Sequence, residues 1–429
     1  MRFDLAVVGA GPAGLAAASA ATSCGMTVVV VDERRATGGS VSGFITGFSA
    51  KEPEASFYLP ALGVDDAVTD RMSKLTQDTG DAVILLDSFV WGLFDGWTLA
   101  VSRSGRGTER VESDQVVLAT GEFVVRPPFR GHELDCVETP AGFVHALSSG
   151  LVPRTAKVVI IGDDDLAHRI ATHVAGLNIE SIVLLTERQH RSRFRNYVMS
   201  SPVVARGAQR VKELVFRSAG QDVLLPADWV VVTGPRSAAS ELALLVGCDH
   251  HFAGYSAGYR PDHAHDGSTS VPGIYVAGAV AGMDDVDSAI QSGAIAGTAA
   301  AVRAGYSPPG ILERLATNNM RREPMIPGLI PQVLRAIEPQ SLAPACRCTG
   351  ASYAAVAESI RNGARSLDDV KRQTAAGMGS CQGRGCQRSI IALLAAVGNV
   401  DPALTKPLRA RPPIRPLPVT AMLDPGASI

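Results

Sequence analysis

Four cysteines near the C-terminal end are the residues whose type and spacing call most directly for chemistry. Cys346 and Cys348 stand one residue apart in CRC, 32 residues follow, and Cys381 and Cys386 flank Gln-Gly-Arg-Gly in CQGRGC. Four thiolates in one short segment call for a metal rather than for disulfides. Structural zinc and an iron–sulfur cluster compete for that role. The CxC spacing and the glycine-rich second pair favour iron. Gly377, Gly379, Gly383 and Gly385 let the backbone wrap close and aim N–H groups at sulfur, and such bonds tune a cluster's potential. Cys24, Cys136 and Cys248 lie far apart and read as packed thiols.

A second chemistry-bearing stretch lies at the other end, in Leu5–Asp32, LAVVGAGPAGLAAASAATSCGMTVVVVD. Gly9, Gly11 and Gly14 have GxGxxG spacing. Gly9 permits a tight turn, Gly11 lets backbone approach a pyrophosphate, and Gly14 lets a helix pack close to a strand. Helix N-terminal N–H groups, together with the helix dipole, favour the phosphates. Asp32 ends the second apolar run, where a carboxylate can accept from ribose hydroxyls, and Glu33 is the next candidate. Gly38 and Gly39 read as a close-approach loop beside the dinucleotide. Gln115–Gly121, QVVLATG, reads as a buried strand that returns Thr120 and Gly121 to the ligand crevice.

The elements that must position these residues follow from the patterning. Leu5–Val8 and Thr27–Val31 are expected as buried parallel strands with a small-residue helix, about Pro12 to Cys24, between them. Asp65–Gly80 reads as a helix. Ala82–Asp87, Val90–Phe94, Trp97–Val101 and Arg110–Glu112 read as short strands of an antiparallel insert. Lys157–Glu187 repeats the opening plan, with strand, helix, strand and a closing Glu187. Its loop, however, is Gly162-Asp163-Asp164-Asp165. Three carboxylates where a pyrophosphate needs N–H donors would repel it, so this half reads as a nicotinamide-type domain that has lost its nucleotide. Ala227–Gly234 is a further buried strand. Tyr255–Ser270, with His263 and His265, reads as a polar loop with surface histidines. Val271–Gly282 and a small-residue helix over Asp287–Ala304 follow.

Ser307–Pro344 reads as a linker, with many Pro, a basic pair at Arg321–Arg322 and a short helix near Gln332–Ile337. Between the cysteine pairs lie two amphipathic helices, Tyr353–Asn362 and Leu367–Gln373, with Gly363 ending the first and Ser366 capping the second. The Pro-rich stretch Pro402–Ile429 is expected as an extended arm or a disordered tail.

Composition narrows the function classes. The chain has 429 residues, 46% of them hydrophobic, with 40 Lys and Arg against 42 Asp and Glu. No basic excess points to nucleic acid or an anionic membrane. No apolar run reaches the roughly 20 residues of a membrane span, and the N-terminus opens directly into a strand with no signal-like segment. The expected location is the cytoplasm, with the electron acceptor as the link to the inner membrane.

Residues 1–305 resemble the glutathione-reductase-like flavoproteins, in which an FAD domain is interrupted by an NAD(P)H domain. The residues that carry the resemblance are Gly9-Ala10-Gly11-Pro12-Ala13-Gly14, Asp32, Ala119-Thr120-Gly121 and Gly278. The resemblance implies FAD and a two-dinucleotide-binding α/β fold. The family usually carries Asp after the last glycine, touching the flavin; here Ala279 stands there, with Asp284 and Asp285 out of register. No CxxC lies in the first half, which argues against a disulfide reductase.

Residues 344–397 resemble the bacterioferritin-associated ferredoxin domain, a small helical holder of one [2Fe–2S] cluster, though the usual second pair is CxxC and here it is CxxxxC. The whole order, with the stretch Lys371–Arg384 as its most specific part, resembles the α (A) subunits of heteromeric amino-acid dehydrogenases and oxidases. These include opine oxidase, hydrogen cyanide synthase, and proline, hydroxyproline and sarcosine dehydrogenases. The resemblance implies a discontinuous FAD domain (1–135 and 265–306), a degenerate NAD(P)-domain-like insert (136–264), a linker (307–343), a [2Fe–2S] domain (344–400) and a Pro-rich tail (401–429). It further implies that substrate chemistry occurs in a flavin-containing catalytic β subunit. This chain would then relay electrons and hold no catalytic base of its own. Some members carry FMN at a subunit interface and a small third, ferredoxin-like subunit. The rival classes are an autonomous NAD(P)H-dependent flavin or ferredoxin-type reductase and a cluster-carrying scaffold subunit.

Overall fold

The computed structural model describes residues 1–40, 66–103, 107–125, 129–162, 165–179, 182–186, 193–200, 203–233, 236–254, 257–283, 285–310 and 341–422. The expectations for Arg321–Arg322, the helix near Gln332–Ile337, Asp163, Asp164, Glu187 and Asp284 fall outside the described residues.

The chain opens with β1 (Arg2–Val8), α1 (Pro12–Ser23) and β2 (Val28–Val31). Leu5–Val8 and all of β2 are buried, as strands covered on both faces must be. Then come α2 (Asp66–Gln77), β3 (Val83–Leu85), β4 (Ser88–Phe94), β5 (Thr98–Arg103) and β6 (Gly107–Leu118). The sheet order is β3-β2-β1-β6-β5-β4.

Two expectations change here. Val83–Leu85 belongs to the parallel part, pairing with β2, and not to the antiparallel insert. The expected strands at Arg110–Glu112 and Gln115–Gly121 are one 12-residue strand. Arg110–Asp114 alternate exposed and buried positions, and Gln115–Leu118 are continuously buried; the strand pairs with β5 over its first half and with β1 over its second. The change of period along one strand is what makes it read as two.

Strands β7 (Glu122–Val124) and β16 (Arg236–Ala238) pair antiparallel where the chain leaves and re-enters this part. Between them run β8 (Val137–Glu138), α3 (Pro140–Ser148), β9 (Val158–Ile161), α4 (Asp165–Gly176), β10 (Ile182–Thr186), β11 (Arg195–Val198), β12 (Val204–Gly207), β13 (Val211–Ser218), β14 (Gln221–Pro226) and β15 (Trp229–Val232). They form a parallel sheet of order β11-β10-β9-β15-β8 and an antiparallel sheet of order β12-β13-β14.

After β16 come α5 (Glu241–Leu245) and a hairpin of β17 (His250–Phe252) and β18 (Tyr259–Pro261). The expected polar loop at Tyr255–Ser270 therefore contains a strand. Tyr259 is buried in the C-terminal core, and His263 is part-buried, with its Nε2 3.0 Å from the Ala281 carbonyl. Strand β19 (Ile274–Val276) returns parallel to β6. Helix α6 (Val286–Arg303) then packs on α1, with Gly293 and Gly297 against the backbone of Ala13 and Ala17.

The C-terminal part contains α7 (Tyr353–Arg361), α8 (Leu367–Thr374) and α9 (Gln387–Gly398). Ser366 begins α8 in a reciprocal capping box with Asp369. Val356, Ile360, Val370, Ile390 and Leu394 fill the core between the three helices. Helix α9 adds to the two expected helices, an apolar run that ends at Gly398 with Asn399 left-handed. From 401 to 422 the chain is an arm that lies back along the molecule, with a 3-10 turn at Pro402–Leu404 and a short helix at Val419–Met422. Tyr259 donates its hydroxyl to the Thr405 carbonyl (2.6 Å), Ile414 its N–H to Trp91 (3.0 Å), and Thr108 its hydroxyl to Ala421 (3.0 Å). Leu408 and Ile414 are buried by it. Among the described residues no helix is long and apolar enough to cross a membrane.

Candidate functional site

The turn between β1 and α1 is held by backbone contact. Gly9 has φ +109°, and a Cβ there would strike the Ala119 carbonyl; a Cβ at Gly14 would strike the Gly9 carbonyl. Helix α1 begins at Gly11 with no side-chain cap and no acid in its first turn. Pro12 has no N–H to lose, and the first N–H groups of α1 stay open to an anion. Beside them is room, since a Cβ at Gly11 would meet only Gly39 Cα, at 3.8 Å. Gly38 donates its N–H to the Ala10 carbonyl (2.7 Å), so the Gly38–Gly39 loop does reach the glycine turn. Gly278, at the end of β19, sits over Ala13, where a Cβ would be 2.7 Å from the alanine methyl. Gly9, Gly11, Pro12, Ala13, Gly14, Gly39 and Gly278 are thus brought together into a backbone cradle. Its donors and its free space fit the pyrophosphate of a dinucleotide.

The acids have partners within the protein. Asp32 is only 8% exposed, and its two carboxylate oxygens accept from the N–H groups of Ala10 (2.6 Å) and Arg34 (2.7 Å). Burial pushes this carboxyl up, and the two N–H bonds oppose it. Asp32 therefore fixes the glycine turn from inside. Glu33 is exposed and forms an ion pair with Arg415 of the C-terminal arm. Thr120 and Gly121 are tied to the returning chain: the Thr120 hydroxyl donates to the Ala239 carbonyl (2.6 Å), and the Ala239 N–H to Gly121 (3.0 Å). Asp285 caps α6 by accepting from the Ser288 N–H (2.8 Å) and does not stand in for an acid at Ala279. In the second parallel sheet, Gly162, which follows β9, is pressed against Thr233.

The four cysteines meet in the C-terminal part, beneath α7 and at the start of α9. Cys346 and Cys386 are each 1% exposed, Cys381 is half-buried and Cys348 exposed. They fall into two thiol pairs, Cys346 with Cys386 and Cys348 with Cys381. The hydrogen bond from the Cys386 thiol pulls Cys346 down to about 4, against burial, with the N–H groups of Gly377 and Thr349 helping. The same bond, with burial, pushes the Cys386 thiol up. Burial raises Cys381, and the N–H groups of Gly385 and Gly383 oppose it. Gly379 lies so close that a Cβ would strike that of Cys348. The loop glycines thus point N–H groups at sulfur and wrap tightly. A [2Fe–2S] cluster takes two thiolates on each iron, which suits two pairs. All four thiols also lie close enough to act on one another, with Cys386 feeling Cys346, Cys381 and Cys348.

Two residues of this site carry no signal in the sequence. Arg384, between Cys381 and Cys386, forms a largely buried ion pair with Glu241 of α5 and lies over the Phe123 ring at 5.8 Å. Arg388, in the first turn of α9, donates to the Arg236 carbonyl (2.8 Å). Burial pulls its guanidinium down to about 9, helped by Arg260 and opposed by Glu122. Together they fasten the cysteine loop to the β7–β16 crossing. Nothing in Gly-Arg-Gly distinguishes such an arginine from a solvated one.

This fold and these two sites define a flavoprotein with an appended iron–sulfur domain. Residues 3–305 match the pyridine nucleotide-disulphide oxidoreductases, and the chain belongs to that family. Residues 344–396 match the BFD-like [2Fe-2S] binding domain. The cofactors are accordingly FAD in the first part and a [2Fe–2S] cluster in the second.

The chain is similar along nearly its whole length to the A subunit of opine oxidase from Rhizobium meliloti, at 26% identity over 97% of this chain and 86% of that protein. It is also similar to the corresponding opine oxidase subunit of Agrobacterium tumefaciens (strain Ach5), at 28% over 97% and 90%. Hydrogen cyanide synthase subunit HcnB of Pseudomonas aeruginosa is 26% identical over 99% of each chain. Among solved structures, L-proline dehydrogenase from P. horikoshii shares the fold, with a TM-score of 0.76 and 20% identity over 98% of this chain and 79% of that one.

Proposed function

We propose that this chain is the electron-transfer subunit of a heteromeric FAD-dependent dehydrogenase. The complex oxidises the C–N bond of an amino acid or an opine-type secondary amine. Substrate chemistry lies in a flavin-containing partner subunit, and the electrons pass to an acceptor through this chain. The observation that carries the reading is the Arg384–Glu241 pair. It anchors the segment between two cluster cysteines directly to the flavoprotein part. The relatives named as opine oxidase subunits supply the substrate class. When bound, the cluster supplies one-electron chemistry and the FAD supplies the step between one and two electrons. Cys346, Cys348, Cys381 and Cys386 hold the first, and the cradle of Gly9–Gly14, Gly39 and Gly278 holds the second.

A second reading, an autonomous NAD(P)H-dependent reductase, is favoured by the second parallel sheet, of order β11-β10-β9-β15-β8. The carboxylates of Asp163, Asp164 and Asp165 count against it. Anaerobic titration separates the two. Under the first reading an amino-acid or opine substrate bleaches the chain's visible absorption only when the co-expressed partner is present, and NADH bleaches nothing. Rapid bleaching of the purified chain by NADH, without a partner, would overturn it.

A further inference from the structure

A groove of about 450 Å³ runs beside the cysteine loop, lined by Asp368, Lys371, Arg372, Met378, Arg409 and Arg411. Helix α8 supplies the first three and the C-terminal arm supplies both arginines of the far wall. In a chain with a net charge of −2, four cations in one groove are a strong local concentration. Arg372 touches Asp369 at 3.4 Å; Lys371, Arg409 and Arg411 form no ion pair among the described residues. Basic residues in the last turn of α8 are explained by the helix dipole. Arg409 and Arg411 are not. They are brought there because Leu408 is buried beneath the loop, against Gly377 and Gly383.

The groove's rim is the second observation. Met378 is 63% exposed although it is a large apolar side chain. Its neighbour Gly377 donates to the Cys346 sulfur, and Gly379 lies against Cys348, the most exposed of the four thiols. An exposed apolar residue ringed by cations therefore sits where the cysteines come nearest to solvent. Permanent subunit interfaces are large and apolar, whereas redox encounters are small and steered by charge.

We propose that this groove docks an acidic electron-carrier protein, seated on Met378 and steered by Lys371, Arg372, Arg409 and Arg411. The inference rests on the electron-transfer reading above and names the kind of acceptor. The transfer it serves is of one electron: this protein is oxidised by one, and the carrier's metal centre is reduced by one.

The test uses the full chain and two purified probes of similar size, an acidic rubredoxin and a basic c-type cytochrome. Binding is read by anisotropy of labelled probe, and transfer by the visible change of each oxidised probe after the chain is reduced. At low salt rubredoxin should bind and be reduced at least tenfold faster than at 0.5 M salt, a concentration that screens exposed charges. The cytochrome should show the opposite salt dependence. The K371E/R372E/R409E/R411E variant should lose at least tenfold in rubredoxin association at low salt while keeping its cluster absorption. The milder Lys371→Gln, Arg409→Gln pair should lose about threefold. No rubredoxin binding at low salt, or rates indifferent to salt and to these substitutions, would overturn the docking surface and leave the relay reading standing. Salt-dependent binding with no electron transferred would sustain the surface and overturn the relay.

Discussion

Arg415 forms an ion pair with Glu33 across 382 positions of sequence and lies over the Phe89 ring at 5.0 Å. The pair marks where the C-terminal arm reaches the flavoprotein part. The same arm has already passed the cysteine loop, where Gln382 donates its side-chain amide to the Pro413 carbonyl (2.8 Å). One strap thus touches both cofactor sites. Its grip is apolar rather than ionic, because both partners of the ion pair are substantially exposed and such pairs contribute about 0–1 kcal/mol. Ile414→Ala should therefore cost about 2–4 kcal/mol in denaturant unfolding. Arg415→Ala should cost under about 1 kcal/mol. Equal losses would show that the arm is held by charge.

The two glycines of the turn should part company on substitution. A methyl at Gly11 has room in the protein but enters the cradle. Gly11→Ala should give a folded chain with at least tenfold less retained FAD, read by mass spectrometry of released cofactor. Gly14→Ala collides with the Gly9 carbonyl and should disturb the fold as well. A Gly11→Ala protein with full FAD occupancy would refute the cradle.

Asp32 and Glu33 should also differ. Asp32→Asn keeps one acceptor oxygen and turns an NH2 group towards a backbone N–H, leaving a buried donor unmet at a cost of about 1–3 kcal/mol. It should loosen the turn, lowering both thermal midpoint and FAD retention. Glu33→Gln touches no buried group and should leave the midpoint unchanged. Matching midpoint losses would show that Asp32 has no special part in the turn.

For the cysteines, Cys381→Ser should remove one member of a pair and abolish the visible absorption of the [2Fe–2S] cluster. The FAD site, which is separate, should keep its occupancy. Iron and acid-labile sulfide should be stoichiometric in the unmodified protein, and dithionite should produce a paramagnetic signal. Stoichiometric zinc with neither iron nor signal would refute the assignment.

His173, on α4, is 2% exposed, and burial pulls it down from 6.5 to about 4. The folded state thus refuses a proton that the unfolded chain accepts. The stability this neutral histidine allows is complete above pH 6.5 and is lost as pH falls towards 4, in total about 3 kcal/mol. His250 shifts in the same direction, mainly through burial. His173→Leu should flatten the drop in thermal midpoint between pH 7 and pH 5. An unaltered drop would place the acid sensitivity elsewhere.

The sequence by itself was enough for much of what depends on neighbouring residues. The glycine turn, the buried valine strands, the Ser366 cap and the four thiols are short-range signals, set by backbone freedom, apolar period and spacing. Tertiary structure decided which partners those residues met. Asp32 and Glu33 are adjacent and chemically alike, but one is buried under Ala10 and the other faces Arg415. Arg384 reads as solvated until Glu241 is brought against it. The arm beyond residue 400 carries no periodic signal, and its course follows from where Trp91, Thr108 and Tyr259 leave groups to bond and where Leu408 and Ile414 find apolar surface. Such contacts join positions far apart in the chain, and which partner each residue meets is set by the tertiary fold and not by its neighbours.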